Sequence, residues 1–210
     1  MKLAGMKVAD YLAVMGSDAP APGGGSASAL CGAQGAGLAA MVAGLTIGKK
    51  KYEDVQDTCI AVRDGETALM EKLTAQIDKD TDAFNLVSAA FKMPKETEEQ
   101  KQARSAAIQA GTLVSTEVPF ETMELALEAL RTAEKLLGGF NTGAASDLGV
   151  AAWNLLTCVH GAWMNVCINI GSLKDREKAE DFRSRGKGIL REAEELAARI
   201  AARAEDVIGE

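Results

Sequence analysis

The chain carries no formal charge over residues 19–48, which read APAPGGGSASALCGAQGAGLAAMVAGLTIG, and none over residues 148–173. At a rise of ~1.5 Å per residue, a helix of either length could cross a bilayer. The first stretch, however, consists largely of Gly, Ala and Ser, and the second contains three asparagines and a histidine. Such polar groups are costly in lipid unless they are paired. We therefore expect two buried inner helices of a soluble protein, with a membrane hairpin as the alternative.

The rest of the chain also indicates helices. Alanine is abundant, alternating β-branched residues are absent, and only four prolines interrupt the sequence. These features predict an all-α fold, a bundle of long helices forming a single domain over residues 1–210. The predicted helices cover residues 6–15, 26–46, 53–91, 95 or 97 to about 137 across Pro119, 146–170 and 176–207.

The composition limits the function. A net charge of -7 argues against nucleic acid as a partner, because binding the phosphate backbone needs a basic surface. A small anionic ligand needs only a local group of Lys and Arg. One histidine and four cysteines without a C-x-x-C pair argue against a metal site. We expect a cytoplasmic protein with no metal, since scattered thiols are typical of a reducing compartment.

Residues 55–91 show an apolar face at helical spacing. The residues of this face are Val55, Cys59, Val62, Leu69, Leu73, Ile77, Phe84, Val87 and Phe91. Glu66 and Asp80 fall on the midline of the same face. A buried carboxylate is costly unless it is paired, so each indicates either a functional site or a structural ion pair.

The second uncharged stretch carries a line of polar residues on one side of its helix. Asp147, Asn154, Gly161 and Asn165 fall close together on a helical wheel. Amides that both donate and accept suit recognition of a heterocycle, and a glycine leaves room for a ligand or another helix. Hydrogen bonding between helices is the structural alternative. His160 points away from this line and is interpreted as a core or interface residue.

Small residues repeat at helical spacing in the first uncharged stretch, at Ala29, Gly32, Ala36, Ala39 and Ala43. A flat face of this kind allows close helix contact within a subunit or between subunits. In a soluble protein it favours a homodimer.

Two polar motifs flank this stretch. The turn from Pro22 to Ser26 precedes a helix, so its free N–H groups could bind an anion or an electron-rich oxygen. It is not a Walker loop, because no Gly-Lys-Ser/Thr follows. Lys49, Lys50 and Lys51 end the stretch, and cations at a helix C-terminus are also favourable by themselves.

Together these segments resemble the formimidoyltetrahydrofolate cyclodeaminase and methenyltetrahydrofolate cyclohydrolase family. The resemblance covers nearly the whole chain in the right order. The matching motifs are Ala21-Pro-Gly-Gly-Gly-Ser26, Leu45-Thr-Ile-Gly-Lys-Lys-Lys-Tyr52, Asp80-x-x-Ala-Phe84, Met93-Pro-Lys-x-Thr97 with Lys101, Arg104 and Gln109, Val118-Pro119, Asn141 with Ser146-Asp147-x-Gly-Val150, and Gly161-Ala-x-x-Asn165-Val-x-Ile-Asn169.

The resemblance implies a dimer-forming enzyme of one-carbon metabolism that binds folate in a cleft between helices. Its substrate is a tetrahydrofolate derivative, and no cofactor stays bound. The cyclohydrolase reaction, reversible hydrolysis of 5,10-methenyltetrahydrofolate to 10-formyltetrahydrofolate, is favoured by the lysine run and by the single domain. The alternative is the cyclodeaminase reaction, which closes the formimidoyl group and releases ammonia. A non-catalytic helical oligomer is the alternative of another class.

The reaction needs a proton-transferring group near a cationic carbon, and Asp80 and Asp147 are the catalytic candidates on pattern and motif together. A desolvated lysine is the alternative acid or base. The candidates for binding the carboxylates of the folate tail are Lys49, Lys50, Lys95 and Arg104. The candidates for the pterin edge are Asn141, Ser146, Asn154 and Asn165, of which Asn154 rests on the helical wheel alone. The candidates for donating N–H groups are Gly23, Gly24, Gly25 and Ser26.

Overall fold

The computed structural model describes residues 2–209, and within that range the chain is helical and contains no strand. Six α-helices follow one another along this described part of the chain. They are α1 (Val8–Met15), α2 (Gly24–Thr46), α3 (Gln56–Phe91), α4 (Glu98–Glu134), α5 (Ala145–Ser172) and α6 (Arg176–Gly209). Short 3-10 turns occupy Leu3–Gly5, Lys50–Val55, Lys135–Gly138 and Thr142–Ala144. The prediction of an all-α bundle of long helices is confirmed.

The helix ends have local causes. Thr97 caps α4 by accepting the N–H of Gln100, whose side chain in turn accepts the N–H of Thr97, which is a capping box. Helix α2 stops before Gly48, which has a left-handed φ of 76° that favours glycine. Helix α4 continues through Pro119, as the sequence predicted.

Helices α2 and α5, which contain most of the two uncharged stretches, are the inner elements of the bundle. Helix α2 packs between α3 and α5, and α5 also contacts α4 and α6. Bare glycine backbone makes this packing close, because a Cβ at Gly35 would lie 2.7 Å from the side chain of Leu155. Among the described helices, Gly24–Thr46 alone is long and apolar enough to span a membrane, and half of its most apolar window is buried inside the bundle.

The predicted apolar face of α3 is correct only in part. Its members from Cys59 to Ile77 are buried, whereas Phe84 is 43% exposed and Phe91 is 57% exposed. Helix α2 begins at Gly24, opposite Asp80, so the last part of α3 extends beyond the start of its neighbour. The prediction that Phe84 and Phe91 are core residues is therefore wrong.

Glu66 is fully buried on α3, and neither of its carboxyl oxygens has a hydrogen-bond partner within residues 2–209. Burial raises its pKa to about 9, the negative charge of Glu128 adds to the rise, and Lys135 opposes it. The carboxyl group is therefore neutral at pH 7. The expectation of an ion pair at Glu66 is wrong for the described residues, because the group is accommodated by holding its proton.

The other α5 residues that the sequence pattern singled out contact neighbouring groups of the bundle. A Cβ at Gly161 would overlap the hydroxyl of Ser28, so this glycine makes room for α2. Asn154 donates to the carbonyl of Val150 in its own helix, at 2.9 Å. His160 is half-exposed and lies 3.2 Å from Glu194 on α6, which agrees with an interface residue between helices.

Candidate functional site

A cavity of about 320 Å³ opens where the N-terminus of α2 meets α3, α4 and α5. Its floor and walls combine glycine backbone, a carboxylate, amides and apolar side chains. The lining residues are Pro20, Ala21, Gly23, Gly24, Gly25, Asp80, Thr81, Phe84, Val87, Ser115, Asn165, Ile168 and Asn169. A concave surface of mixed apolar and polar groups is typical of a small-molecule site.

Asp80 lies directly below the first turn of α2. Ser26 donates to its Oδ2 from the backbone N–H, at 2.9 Å, and from the hydroxyl, at 3.1 Å. A Cβ at Gly25 would overlap the carboxyl group, so this position needs glycine. The glycine-rich turn thus allows a carboxylate to reach a helix N-terminus, where the partial positive charge stabilises an anion.

Burial raises the pKa of Asp80 above its ordinary value, and the two bonds from Ser26 oppose that rise. The cavity therefore holds a carboxylate that is more basic than one in water. Tyr11 of α1 lies near it, with a buried hydroxyl that has no hydrogen-bond partner among the described residues. Burial raises the pKa of Tyr11, and the charge of Asp80 adds to the rise.

Two asparagines of α5 reach the same cavity. Asn165 donates from Nδ2 to the carbonyl of Gly161, at 2.9 Å, and lies against Gly24. Asn169 donates from Nδ2 to the carbonyl of Ser115 on α4, at 2.6 Å. Because a carbonyl oxygen can only accept, each amide keeps its Oδ1 for another donor.

The other end of α2 carries a second polar group of residues, which we name the lysine-end group. Its members are Lys49, Lys50, Asn141, Ser146 and Asp147. The N–H of Asn141 donates to the hydroxyl of Thr46, at 2.9 Å, which ties the start of α5 to the end of α2. Tyr52 accepts the N–H of Thr142, and hydrogen bonds with Thr142 lower the pKa of Tyr52.

A single chain does not bring the lysine-end group to Asp80. The 23 residues of α2 separate them, which is about 34 Å of helix. Lys95 and Arg104 lie at the Asp80 end instead, and Arg104 donates to the carbonyl of Phe91, at 3.1 Å. Asn154 lies between the two ends.

Sequence reasoning did not select several residues of the cavity. Phe84 and Asn169 stand inside quoted motifs but were not named as site residues. Ser115 lies outside the quoted motifs, four residues before Pro119. Tyr11 lies near Asp80 without lining the cavity, and it gives no signal in the sequence. Among the described residues, no group of three or more His, Cys, Asp or Glu could hold a metal ion.

The family model described as Formiminotransferase-cyclodeaminase matches residues 7–187. The chain belongs to the formiminotransferase-cyclodeaminase family. This confirms the resemblance drawn from the motifs. This family member is similar to the methenyltetrahydrofolate cyclohydrolase of Methylorubrum extorquens, with 39% identity over 190 residues that cover 90% of this chain and 91% of that protein.

A longer relative and a solved structure are also similar to this chain. The formimidoyltransferase-cyclodeaminase of Sus scrofa is 35% identical over 195 residues, which are 93% of this chain and 36% of that protein. This member of the formiminotransferase-cyclodeaminase family thus spans about a third of that longer relative. The crystal structure of formiminotetrahydrofolate cyclodeaminase from Thermotoga maritima matches with a TM-score of 0.80 and 26% identity, covering 98% of this chain and 97% of that one.

Proposed function

We propose that this protein hydrolyses 5,10-methenyltetrahydrofolate to 10-formyltetrahydrofolate, reversibly. The observation that carries the proposal is the half-buried Asp80 carboxylate at the edge of the cavity, with a raised pKa and with Oδ2 bonded to Ser26. The similarity to a methenyltetrahydrofolate cyclohydrolase of nearly the same length supports this choice.

The proposed substrate is a cation whose positive charge is shared between the reacting carbon and nitrogens 5 and 10. A carboxylate that is partly removed from water attracts that charge more strongly than it would in bulk water. Asp80 accepts a proton from the attacking water while the oxygen bonds to the carbon. The tetrahedral carbon then loses its bond to nitrogen 5, which takes up a proton, and the hydroxyl proton leaves as the formyl group forms. One proton is released overall.

The other cavity residues have binding roles in this proposal. Asn165 meets the polar edge of the pterin, and the N–H groups of Gly24 and Gly25 donate to ligand oxygens. The Ser26 N–H is already bonded to Asp80 and is not free for the ligand. Lys95 and Arg104, at the same end of the bundle, bind the carboxylates of the folate tail.

We assign the lysine-end group to the site of a second subunit. Helices α2 and α5 are antiparallel, because Gly24 lies by Asn165 while Thr46 bonds to Asn141. A two-fold axis perpendicular to both helices at their middle exchanges the two ends. Such a homodimer places Asp147, Lys49 and Lys50 of one subunit by the Asp80 cavity of the other, and it has two composite sites.

An apolar stripe on α5 supports this dimer. Exposed apolar side chains lie on one side of the helix, one pair near its start and one pair near its end. They are Val150 (48% exposed), Trp153 (48%), Met164 (64%) and Ile168 (74%). Met41 (40%) and Leu45 (45%) are exposed on α2. We expect light scattering to give the mass of a dimer at micromolar concentration, and a monomer would contradict this arrangement.

The cyclodeaminase reaction is the second candidate, in which the protein acts as a lyase. It is supported by the similarity to the Thermotoga maritima cyclodeaminase over nearly all of both chains. In that reaction nitrogen 10 attacks the formimidoyl carbon and its proton passes to the former imine nitrogen. The protonated Asp80 then gives that nitrogen a second proton, so that it departs as ammonia and leaves the 5,10-methenyl cation. We place either activity in the cytoplasm, which suits a chain whose four cysteines are free thiols.

A pair of assays tests the proposal. The purified protein is given 5,10-methenyltetrahydrofolate, whose loss is followed by absorbance, and then the formimidoyl substrate with ammonia detection. We expect the first reaction, at a rate that Asp80→Asn reduces. Ammonia release without hydrolysis would favour the cyclodeaminase. Neither activity, with no thermal shift on adding 5-formyltetrahydrofolate, would leave the non-catalytic helical oligomer.

A further inference from the structure

Pro119 stands in the interior of α4, which runs without interruption from Glu98 to Glu134. A proline has no backbone N–H, so the carbonyl four residues earlier loses its usual helical partner. That carbonyl belongs to Ser115. Pro119 itself is buried, so solvent at this position does not explain its presence.

The carbonyl of Ser115 has a different partner, on another helix. Asn169 of α5 donates to it from Nδ2, at 2.6 Å. The bond fixes which end of the amide faces α4, because a carbonyl oxygen cannot donate. Oδ1 of Asn169 is the end that remains, on a side chain that lines the Asp80 cavity.

The Ser115 hydroxyl donates to the carbonyl of Ala83, at 3.1 Å, so its proton is not directed at Asn169. With its orientation fixed, Asn169 offers an acceptor to the cavity beside the acceptor of Asn165 and the Asp80 carboxylate. A ligand edge rich in N–H groups complements this set. The reduced pterin has such an edge, formed by its exocyclic amino group and ring N–H groups.

We propose that Pro119 is a positioning residue, which frees the Ser115 carbonyl to orient Asn169 so that its Oδ1 accepts an N–H of the bound pterin. This inference rests on the proposed function and names the group that Asn169 recognises. Pro119 does not touch the ligand. It acts on the ligand indirectly, through two groups: the Ser115 carbonyl and the Asn169 side-chain amide.

The test is a double-mutant cycle of Pro119→Ala and Asn169→Ala, with KM, kcat and melting temperature measured for 5,10-methenyltetrahydrofolate. Pro119→Ala restores an N–H that competes for the Ser115 carbonyl, so we expect KM to rise about three- to tenfold with kcat nearly unchanged. Asn169→Ala should raise KM equally or more. The double variant should match Asn169→Ala alone, because both changes remove one interaction.

Two control variants separate positioning from structural damage. Gln109→Ala removes another amide that links α4 to the end of α5, through Ser172 and Lys174, outside the cavity. It should lower the melting temperature without changing KM. Val118→Ala changes the neighbour of Pro119 without adding an N–H and should leave KM unchanged.

The outcomes are distinct. An active wild-type protein whose KM does not respond to Pro119→Ala would overturn this inference and leave the proposed function standing. Additive effects of the two changes would overturn it as well, since independent roles add. A wild-type protein without turnover of the methenyl substrate would overturn both the proposed function and this inference.

Discussion

Ser26 and Asp80 are 54 residues apart in the chain and are joined by two hydrogen bonds to one carboxylate oxygen. One comes from the backbone N–H at the start of α2 and the other from the side chain of the same residue. This pairing holds the carboxylate at the helix N-terminus, with the bare backbone of Gly25 beside it. The other oxygen, Oδ1, accepts no hydrogen bond from Ser26, so the geometry suits a proton acceptor.

We expect Asp80→Asn to lower turnover of 5,10-methenyltetrahydrofolate by about 10²–10⁴-fold, the usual contribution of a general base. The fold should persist, because an amide has nearly the same shape and carries no charge to bury. Steady-state kinetics and circular dichroism measure the two effects. Asp82→Asn, two residues away and exposed, is the control. Turnover within a factor of about three of the wild type would show that Asp80 is not the base.

Ser26→Ala should shift the acidic limb of the pH dependence of kcat/KM to higher pH. The Ser26 hydroxyl lowers the pKa of Asp80, so its loss raises that pKa further. A base works only when it is deprotonated, and the fall of kcat/KM on acidification should therefore begin at a higher pH. Ser28→Ala, whose hydroxyl donates to Gly24 rather than to Asp80, should leave the profile in place. Coinciding profiles for Ser26→Ala and the wild type would contradict the assignment.

Stability should fall as the pH rises, because of Glu66. Its pKa is raised from 4.5 to about 9, so the folded chain holds a proton that the unfolded chain has released at pH 7. This costs about 3 kcal/mol at pH 7, and the cost is absent below pH 4.5 and complete above pH 9. Glu66→Gln should melt at nearly the same temperature as the wild type at pH 5 and at a higher one at pH 8. The same difference in melting temperature between Glu66→Gln and the wild type at pH 5 and pH 8 would contradict this role of Glu66.

Gly25→Ala should reduce both turnover and stability. The added methyl group overlaps the Asp80 carboxyl group, and moving it costs about 1–3 kcal/mol. Turnover should fall by about 100-fold because the carboxylate leaves its position. Gly188→Ala is the matched control, since its Cβ meets open space in a helix, and it should stabilise α6 by up to about 1 kcal/mol. Equal turnover and equal stability of the two variants would argue against the close contact between Gly25 and the Asp80 carboxyl group.

The composite site can be tested by mixing subunits. Asp80→Asn and Asp147→Asn should each be nearly inactive alone. A mixed dimer has one site with both changes and one with neither, so coexpression should restore about a quarter of wild-type activity when subunits pair at random. If each chain contains its own complete site, the mixture would stay inactive.

Much of the fold was predictable from the sequence, because it depends on local signals. Helix ends fall within about three residues of the predicted ones, since Thr97, Gly48 and the prolines act on their immediate neighbours. The proton on Glu66 was not predictable, because its cause is the absence of a partner on facing helices. The bond between Ser115 and Asn169 joins positions 54 apart on two helices, and periodicity does not give the alignment of one helix on another.

The sequence identified several of the residues that form the site, but it did not show which of them lie together. The motifs named Asp80, the glycine turn and Asn165, which the structure brings together. They gave no sign that Lys49 and Asp147 lie elsewhere, although the length of α2 contained that information. A helix of 23 residues cannot have both of its ends in one cavity.

The composition of α2 also bears on how the native state is reached. Six of its 23 residues are glycines, each costing about 1 kcal/mol of helix stability relative to alanine. We expect this segment to be a coil in any partly folded chain and to become helical only when α3 and α5 already enclose it. The turn that holds Asp80 would then be completed at the last step of folding. Catalytic competence would follow the global unfolding transition and survive in no intermediate.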